Sequence, residues 1–225
     1  MPGSQYRITI QLDLGGYSFS IYDRNGTQIR QESHPCPVDL SVGELARELN
    51  WKAQAVSVYY TTWKYTLVPV SMYSKDAPEA ALRSVRDLNP DDKVLILEMP
   101  SRKAIMIFAI PQKIYYGLTA LNKNVKFYPM SYLLIDRISS ITDNNRLLVS
   151  FTEGMLHIAA AERDRLLFAN SFPAGDIATA EYFIFSVTKE VMFNPEHTRL
   201  HMFGKVPDKV QDELCKYFAG ISFIS

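Results

Sequence analysis

Arg7-Ile-Thr-Ile-Gln-Leu-Asp13-Leu-Gly15-Gly16-Tyr-Ser-Phe-Ser-Ile-Tyr-Asp23 near the start and Arg146-Leu-Leu-Val-Ser150-Phe-Thr-Glu-Gly154-Met-Leu-His-Ile-Ala-Ala-Ala161 in the second half follow one plan. Each runs as a short strand, a tight turn, a second strand, another turn and a third strand. In the first, Ile8, Ile10, Leu12 and Leu14 fall on one side and Arg7, Thr9, Gln11 and Asp13 on the other, the period of two of a half-buried strand. Gly15 and Gly16 interrupt it, and Tyr17, Phe19 and Ile21 resume it. Asn25-Gly26 predicts a hairpin turn, because both residues tolerate positive φ. In the second copy Leu147, Val149 and Phe151 alternate, then Leu156, Ile158 and Ala160. The charged turn Glu162-Arg-Asp-Arg165 leads on to Leu166, Phe168 and Asn170.

Each copy is followed by a predicted helix, strand and helix. After the first, whose third strand over about 28–33 is ended by Pro35 and Pro37, come a helix over 42–49, a strand over 55–61 and a helix over 114–121. Between them lie a predicted helix at 76–85 and two strands near 93–110 around Pro100-Ser-Arg102, which read as an inserted hairpin. A strand at 125–128 and a helix at 131–140 precede the loop-like Thr142-Asp-Asn-Asn145. After the second copy, Ile177, Ala180, Ile184, Val187 and Val191 form one face of a long helix over 176–193, stopped by Asn194-Pro195. A strand over 198–204 follows, then a helix with Pro207 as its first residue and Val210, Leu214 and Phe218 inward. Residues 221–224 are a candidate last strand. An internal repeat of this size sets the architecture: an α/β protein of two related lobes, each β-β-β-α-β-α. Residues 1–140 form the N-terminal lobe with the inserted hairpin, and 141–225 the C-terminal lobe.

Composition excludes several classes. Hydrophobic residues are 47% and charged residues 21% of the 225, as in a globular protein with a real core. Net charge is zero and basic residues do not cluster, which argues against nucleic acid as partner. The longest apolar run, 104–110, is too short for a membrane span. The N-terminus lacks the basic-then-apolar order of a signal peptide. Cys36 and Cys215 sit far apart in no motif and read as reduced thiols. A cytoplasmic protein without membrane insertion is the expectation.

Two copies of this unit resemble the actin-like superfold of actin, sugar kinases, heat-shock chaperones and the cell-division and pilus-assembly ATPases. Tyr65-Thr-Leu-Val-Pro69, Asn170-Ser-Phe172, Asp176 with Glu181-Tyr-Phe183, Leu200-His-Met-Phe-Gly204 and Lys216-Tyr217 are more specific. They resemble the bacterial "domain of unknown function 3822" family over nearly the whole chain, a family name that carries no activity. The superfold implies a nucleotide held by an Asp-x-Gly hairpin in each lobe and by a Gly-Gly after a later strand. The carboxylate serves the magnesium shell, and the glycine lets backbone amides reach phosphate. Asp13-Leu14-Gly15-Gly16 matches the first hairpin, though Asp and Gly are also ordinary turn residues. In the second, Ser150-Phe151-Thr152 is read as the matching stretch, without aspartate or glycine and with Glu153-Gly154 displaced. Gly204-Lys205 keeps only one glycine of the Gly-Gly, and the lysine would crowd the base or ribose.

Other chemistry is thin. His197 and His201 have the i, i+4 spacing of a helical metal pair, but Thr198 to Phe203 reads as a strand, so no metal is expected there. His34 beside Cys36 suggests a thiol–imidazole pair, yet flanking prolines and the lack of a third group make it a loop. The sequence therefore predicts a non-catalytic actin-like protein with no catalytic residues, no cofactor and no metal, acting through a protein partner and open to homo-oligomer formation. The alternative is an ATP-binding actin-like ATPase or nucleotide switch, using Asp13, Gly15, Gly16 and Gly204. A small-molecule site between lobes is a third reading.

Overall fold

Along β1 (Arg7–Asp13), Ile8, Ile10 and Leu12 are buried and the residues between them stay partly open, as their alternation requires. The computed structural model describes residues 6–37, 40–152, 154–204, 206 and 208–224. It divides into two compact units, Met1–Pro129 and Met130–Ser225. The first continues through β2 (Gly16–Tyr22), β3 (Gln28–Pro35), α1 (Ser41–Glu48), β4 (Ala55–Tyr60), β5 (Tyr65–Pro69), α2 (Pro78–Arg83), β6 (Asp92–Met99), β7 (Ala104–Pro111), α3 (Gln112–Leu121) and β8 (Val125–Pro129). Its main sheet has the order β3-β2-β1-β4-β8, with the first three strands antiparallel and β4 and β8 parallel to β1. The inward residues of β1, β2 and β4 are buried, as are Leu45 of α1 and Ile114 and Leu118 of α3. The two helices touch where Gly117 faces Val42, so closely that a Cβ at 117 would lie 2.7 Å from the Val42 Cγ1.

Two local expectations are refined. Of the Asn25-Gly26 pair, only Gly26 takes positive φ (85°) among the described residues. The turn is wider than a two-residue hairpin, because Tyr22 pairs with Gln28. The Asp23 carboxylate holds it by accepting from the backbone N–H of Asn25 (2.8 Å) and Thr27 (2.9 Å). The inserted hairpin is β6 and β7, and it gains a third strand. β5 pairs with the other edge of β7, giving a sheet β5-β7-β6, and Leu82 of α2 packs on Ile105, Ile107 and Ala109.

The second unit comprises α4 (Met130–Arg137), a 3-10 turn over Ile138–Ser140, β9 (Asn145–Thr152), β10 (Met155–Glu162), β11 (Arg165–Pro173), α5 (Ile177–Glu190), β12 (Arg199–Phe203), α6 (Asp208–Leu214) and β13 (Gly220–Ile224). Its sheet order, β11-β10-β9-β12-β13, repeats the first unit's strand for strand, with β12 and β13 parallel to β9. The last strand completes each repeat beyond β-β-β-α-β-α. The division falls at 129/130 rather than 140/141, because α4 packs on β9, β10 and β11. Its Leu134, with Ile138 and Ile141 after it, forms a cluster with Leu148, Ala159 and Ala161. The opposite face of the same sheet packs Leu156, Ile158 and Ala160 with Ala180, Ile184 and Val187 of α5 and Val210 and Leu214 of α6. The second sheet is therefore covered on both faces.

Helix α5 starts where the sequence predicts. Asp176 is its N-cap, accepting from the Thr179 backbone N–H at 2.8 Å. Ile184 lies at the centre of its buried face, with no exposed surface. Ile184→Asp should cost about 4 kcal/mol, by losing that packing and burying an unpaired charge. A thermal or denaturant melt reads this directly, and an unchanged midpoint would show that the helix packs through another face.

Candidate functional site

The first hairpin joins β1 to β2 with Asp13 paired to Gly16, so Leu14 and Gly15 form the turn. Asp13 stands at the end of β1 beside the end of β4. Its Oδ1 accepts from the Thr61 hydroxyl at 2.5 Å, and its Oδ2 accepts from Gln11 Nε2 at 3.0 Å. The carboxylate thus ties the two parallel strands together at their C-terminal ends. Gly16 also has a packing duty: it lies opposite Pro35 of β3, and a Cβ there would sit 2.6 Å from the His34 carbonyl oxygen. The Gly15 carbonyl accepts from the Cys36 N–H at 3.1 Å. Asp13, Gly15 and Gly16 are brought together in the first unit; Gly204 belongs to the second.

In the second unit the register corrects the sequence alignment. Thr152 pairs with Met155, and Gly154 lies in the turn between them. Thr152, not Ser150, therefore occupies the place of Asp13, and Gly154 occupies the place of Gly15. Ser150 matches Gln11 instead, two residues from the turn pair. The glycine is retained, with φ 71°, and only the carboxylate is replaced. Glu153 and Lys205, singled out in the sequence, lie outside the described residues, as does Pro207. Gly204 follows β12 with φ 78°, and a Cβ on it would come 3.9 Å from the Ser150 Oγ.

The Thr152 hydroxyl is committed to a partner. It lies 3.0 Å from His157 Nε2, and His157 Nδ1 lies 2.7 Å from the Ser171 hydroxyl. His157 is fully buried on β10, the middle strand of this three-stranded meander. Both ring nitrogens are satisfied by hydroxyls, and burial pushes its pKa down to about 4.

Beside this hairpin lies a cavity of about 570 Å³, with Phe151, Thr152 and Gly154 on one side and Asp176, Asp208 and Lys209 at the starts of α5 and α6 on the other. Asp176 sits at the cavity with both carboxylate oxygens engaged. The Asp176 oxygens accept from the Thr179 N–H and hydroxyl, each at 2.8 Å, which holds this carboxyl below the usual carboxylate range. The charge that the α5 N-terminus would offer to an anion is already taken by Asp176, and among the described residues the lining carries Asp176, Asp208 and Lys209.

His201 is a strand residue on β12, as expected. Its Nε2 lies 3.0 Å from Asp143 Oδ2 and its Nδ1 2.6 Å from the Ser222 hydroxyl, so it is satisfied within the second unit. His197 lies in a 3-10 turn over Pro195–His197, and the helical metal pair does not form. Among the described residues, no helix is long and apolar enough to cross a membrane.

The family model of the "protein of unknown function (DUF3822)" family matches residues 3–221. The chain belongs to that family. No curated protein matches it. A Bacteroides thetaiotaomicron VPI-5482 protein, described as having an actin-like ATPase fold and unknown function, is similar with a TM-score of 0.88 and 22% identity over 99% of this chain and 91% of its own. The PilM–PilN type IV pilus biogenesis complex matches at TM-score 0.59 and 12% identity, over 97% and 88% of the two chains. An activator of 2-hydroxyisocaproyl-CoA dehydratase from Clostridium difficile, solved with bound ADPNP, matches at 0.52 and 8%, over 98% and 89%. The family member described here has an actin-like fold.

Two measurements test these roles. Gly16→Ala should lose about 1–3 kcal/mol of stability, because the added methyl meets a backbone carbonyl that moves only with β3; a neutral substitution would remove the packing role. For His157, the unfolded chain titrates near pH 6.5 and the folded one near 4. Between those values the unfolded state binds a proton that the folded state refuses. The stability present above pH 6.5 is therefore lost as pH falls toward 4, by about 3 kcal/mol at this residue. Melts across that range should show the slope, and His157→Gln should flatten it.

Proposed function

We propose that this protein is a non-catalytic actin-like protein that acts by binding another protein. The observation that carries the reading is Thr152. It stands where the second hairpin of an actin-like ATPase would present a carboxylate, and its hydroxyl is engaged with His157. A magnesium–triphosphate complex needs carboxylates around the metal shell and donors around the phosphates. Asp176 and Asp208 at the adjoining cavity oppose the second requirement. PilM, similar in fold, is found in a complex with PilN, which makes a partner protein a natural use for such a scaffold.

A nucleotide-switch reading keeps one specific observation in its favour, the intact Asp13-Leu14-Gly15-Gly16 hairpin. A melt of the purified protein with and without millimolar Mg-ATP separates the two. A ligand at a hundredfold excess over its Kd adds about 2.7 kcal/mol. The scaffold reading expects no shift and no hydrolysis. A clear stabilisation that disappears in Asp13→Ala would replace it with the switch.

A further inference from the structure

Glu32 and His34 are two residues apart on β3 and so share a face; Glu48 ends α1 beside them. His34 Nε2 lies 3.2 Å from Glu32 Oε2 and 3.5 Å from Glu48 Oε2, and the three ligand atoms all fall within 4.8 Å of one another. A tetrahedral ion with bonds of about 2.0–2.1 Å separates its ligand atoms by about 3.3–3.4 Å. We propose that Glu32, His34 and Glu48 bind a divalent transition-metal ion, zinc foremost, with the fourth position left to water.

The surroundings orient each ligand. Arg30 Nε donates to Glu32 Oε1 at 2.6 Å, which occupies one carboxylate oxygen and turns the other toward His34. The Tyr17 hydroxyl donates to Glu48 Oε2 at 3.1 Å. The imidazole stacks on two aromatic rings of β2, 5.1 Å from the Tyr17 ring and 6.2 Å from that of Phe19. Such supports set ring plane and carboxylate direction at metal sites. Two carboxylates and one imidazole balance a divalent charge, and the imidazole favours zinc over magnesium. The three side chains are each about one-third exposed (28–37%), so an ion reaches them from solvent. Because β3 is an edge strand and α1 a separate layer, the ion would clip one to the other within the first unit. The alternative chemistry of the same geometry is an imidazolium held between two carboxylates, which takes up no metal.

The inference does not depend on the nucleotide question. The full chain is stripped with a chelator, dialysed against micromolar zinc, and its bound metal measured beside a melt. The expected result is one zinc per chain, a higher melting temperature with zinc, and no shift with millimolar magnesium. His34→Gln, Glu48→Gln and Glu32→Gln should each weaken zinc binding at least tenfold. Their metal-free melts report folding, and the more exposed Glu32→Gln keeps the test usable should Glu48→Gln lose the Tyr17 contact and unfold. Zinc absent from the wild-type chain, or retained with unchanged affinity in the folded variants, overturns the proposal.

Discussion

In both units the first hairpin is closed so tightly that the last residue of one strand pairs with the first of the next, Asp13 with Gly16 and Thr152 with Met155. That register decides which side chain faces the core, because a slip of one residue exchanges the two faces of a strand. It also decides which residue stands beside the end of the neighbouring parallel strand. In the first unit that residue is Asp13, tied to Thr61. In the second the residue at the turn is Thr152, tied to His157 of β10, while the end of β12 at Phe203 lies opposite Ser150. The same backbone device therefore carries an acceptor pair in one copy and a hydroxyl in the other, and the chemistry of the two hairpins diverges without any change in topology.

The periodicities were legible in the sequence because each element is buried on a face its spacing defines. The alternation in β1 and β2, the stripe on α5 and the stop at Asn194-Pro195 are all local signals. The repeat was legible for the same reason, since both copies present strand, turn and strand in matching order. The second hairpin's register was less so. Phe151 continues the alternation of Leu147 and Val149 up to the turn, so alternation alone gives no landmark for where the strand stops. Only pairing with β10 places Thr152 at the turn. The cluster of Glu32, His34 and Glu48 was invisible for a different reason: two members sit on a strand, and the third arrives from a helix that packs against it. Glu32-x-His34 was the available signal, two ligand-type side chains on one face of a strand. The third strand of the inserted sheet, β5, was missed because Tyr65–Pro69 is short and its partner β7 lies far along the chain.

Charge placement follows the same logic of local satisfaction. Asp23 closes a turn, Asp176 caps a helix, and Lys64 meets Asp92 at 2.5 Å with both side chains largely buried. These groups spend their hydrogen-bonding capacity on the fold. A carboxylate already holding a helix start or a strand end is poorly placed to receive a ligand of its own sign.

Strand β10 carries Ala159-Ala160-Ala161 in its C-terminal half, every one of them buried. Alanine is the best helix former and a poor strand former. The segment is extended because α4 lies on one face and α5 on the other, while β9 and β11 pair along both edges. In kinetic terms, β10 has little local reason to become a strand. It becomes a strand through β9 and β11, which tight turns hold directly before and after it, so its pairing closes only short loops. The best-buried strand of the second unit thus owes its extended state to its neighbours in the chain and not to its own residues.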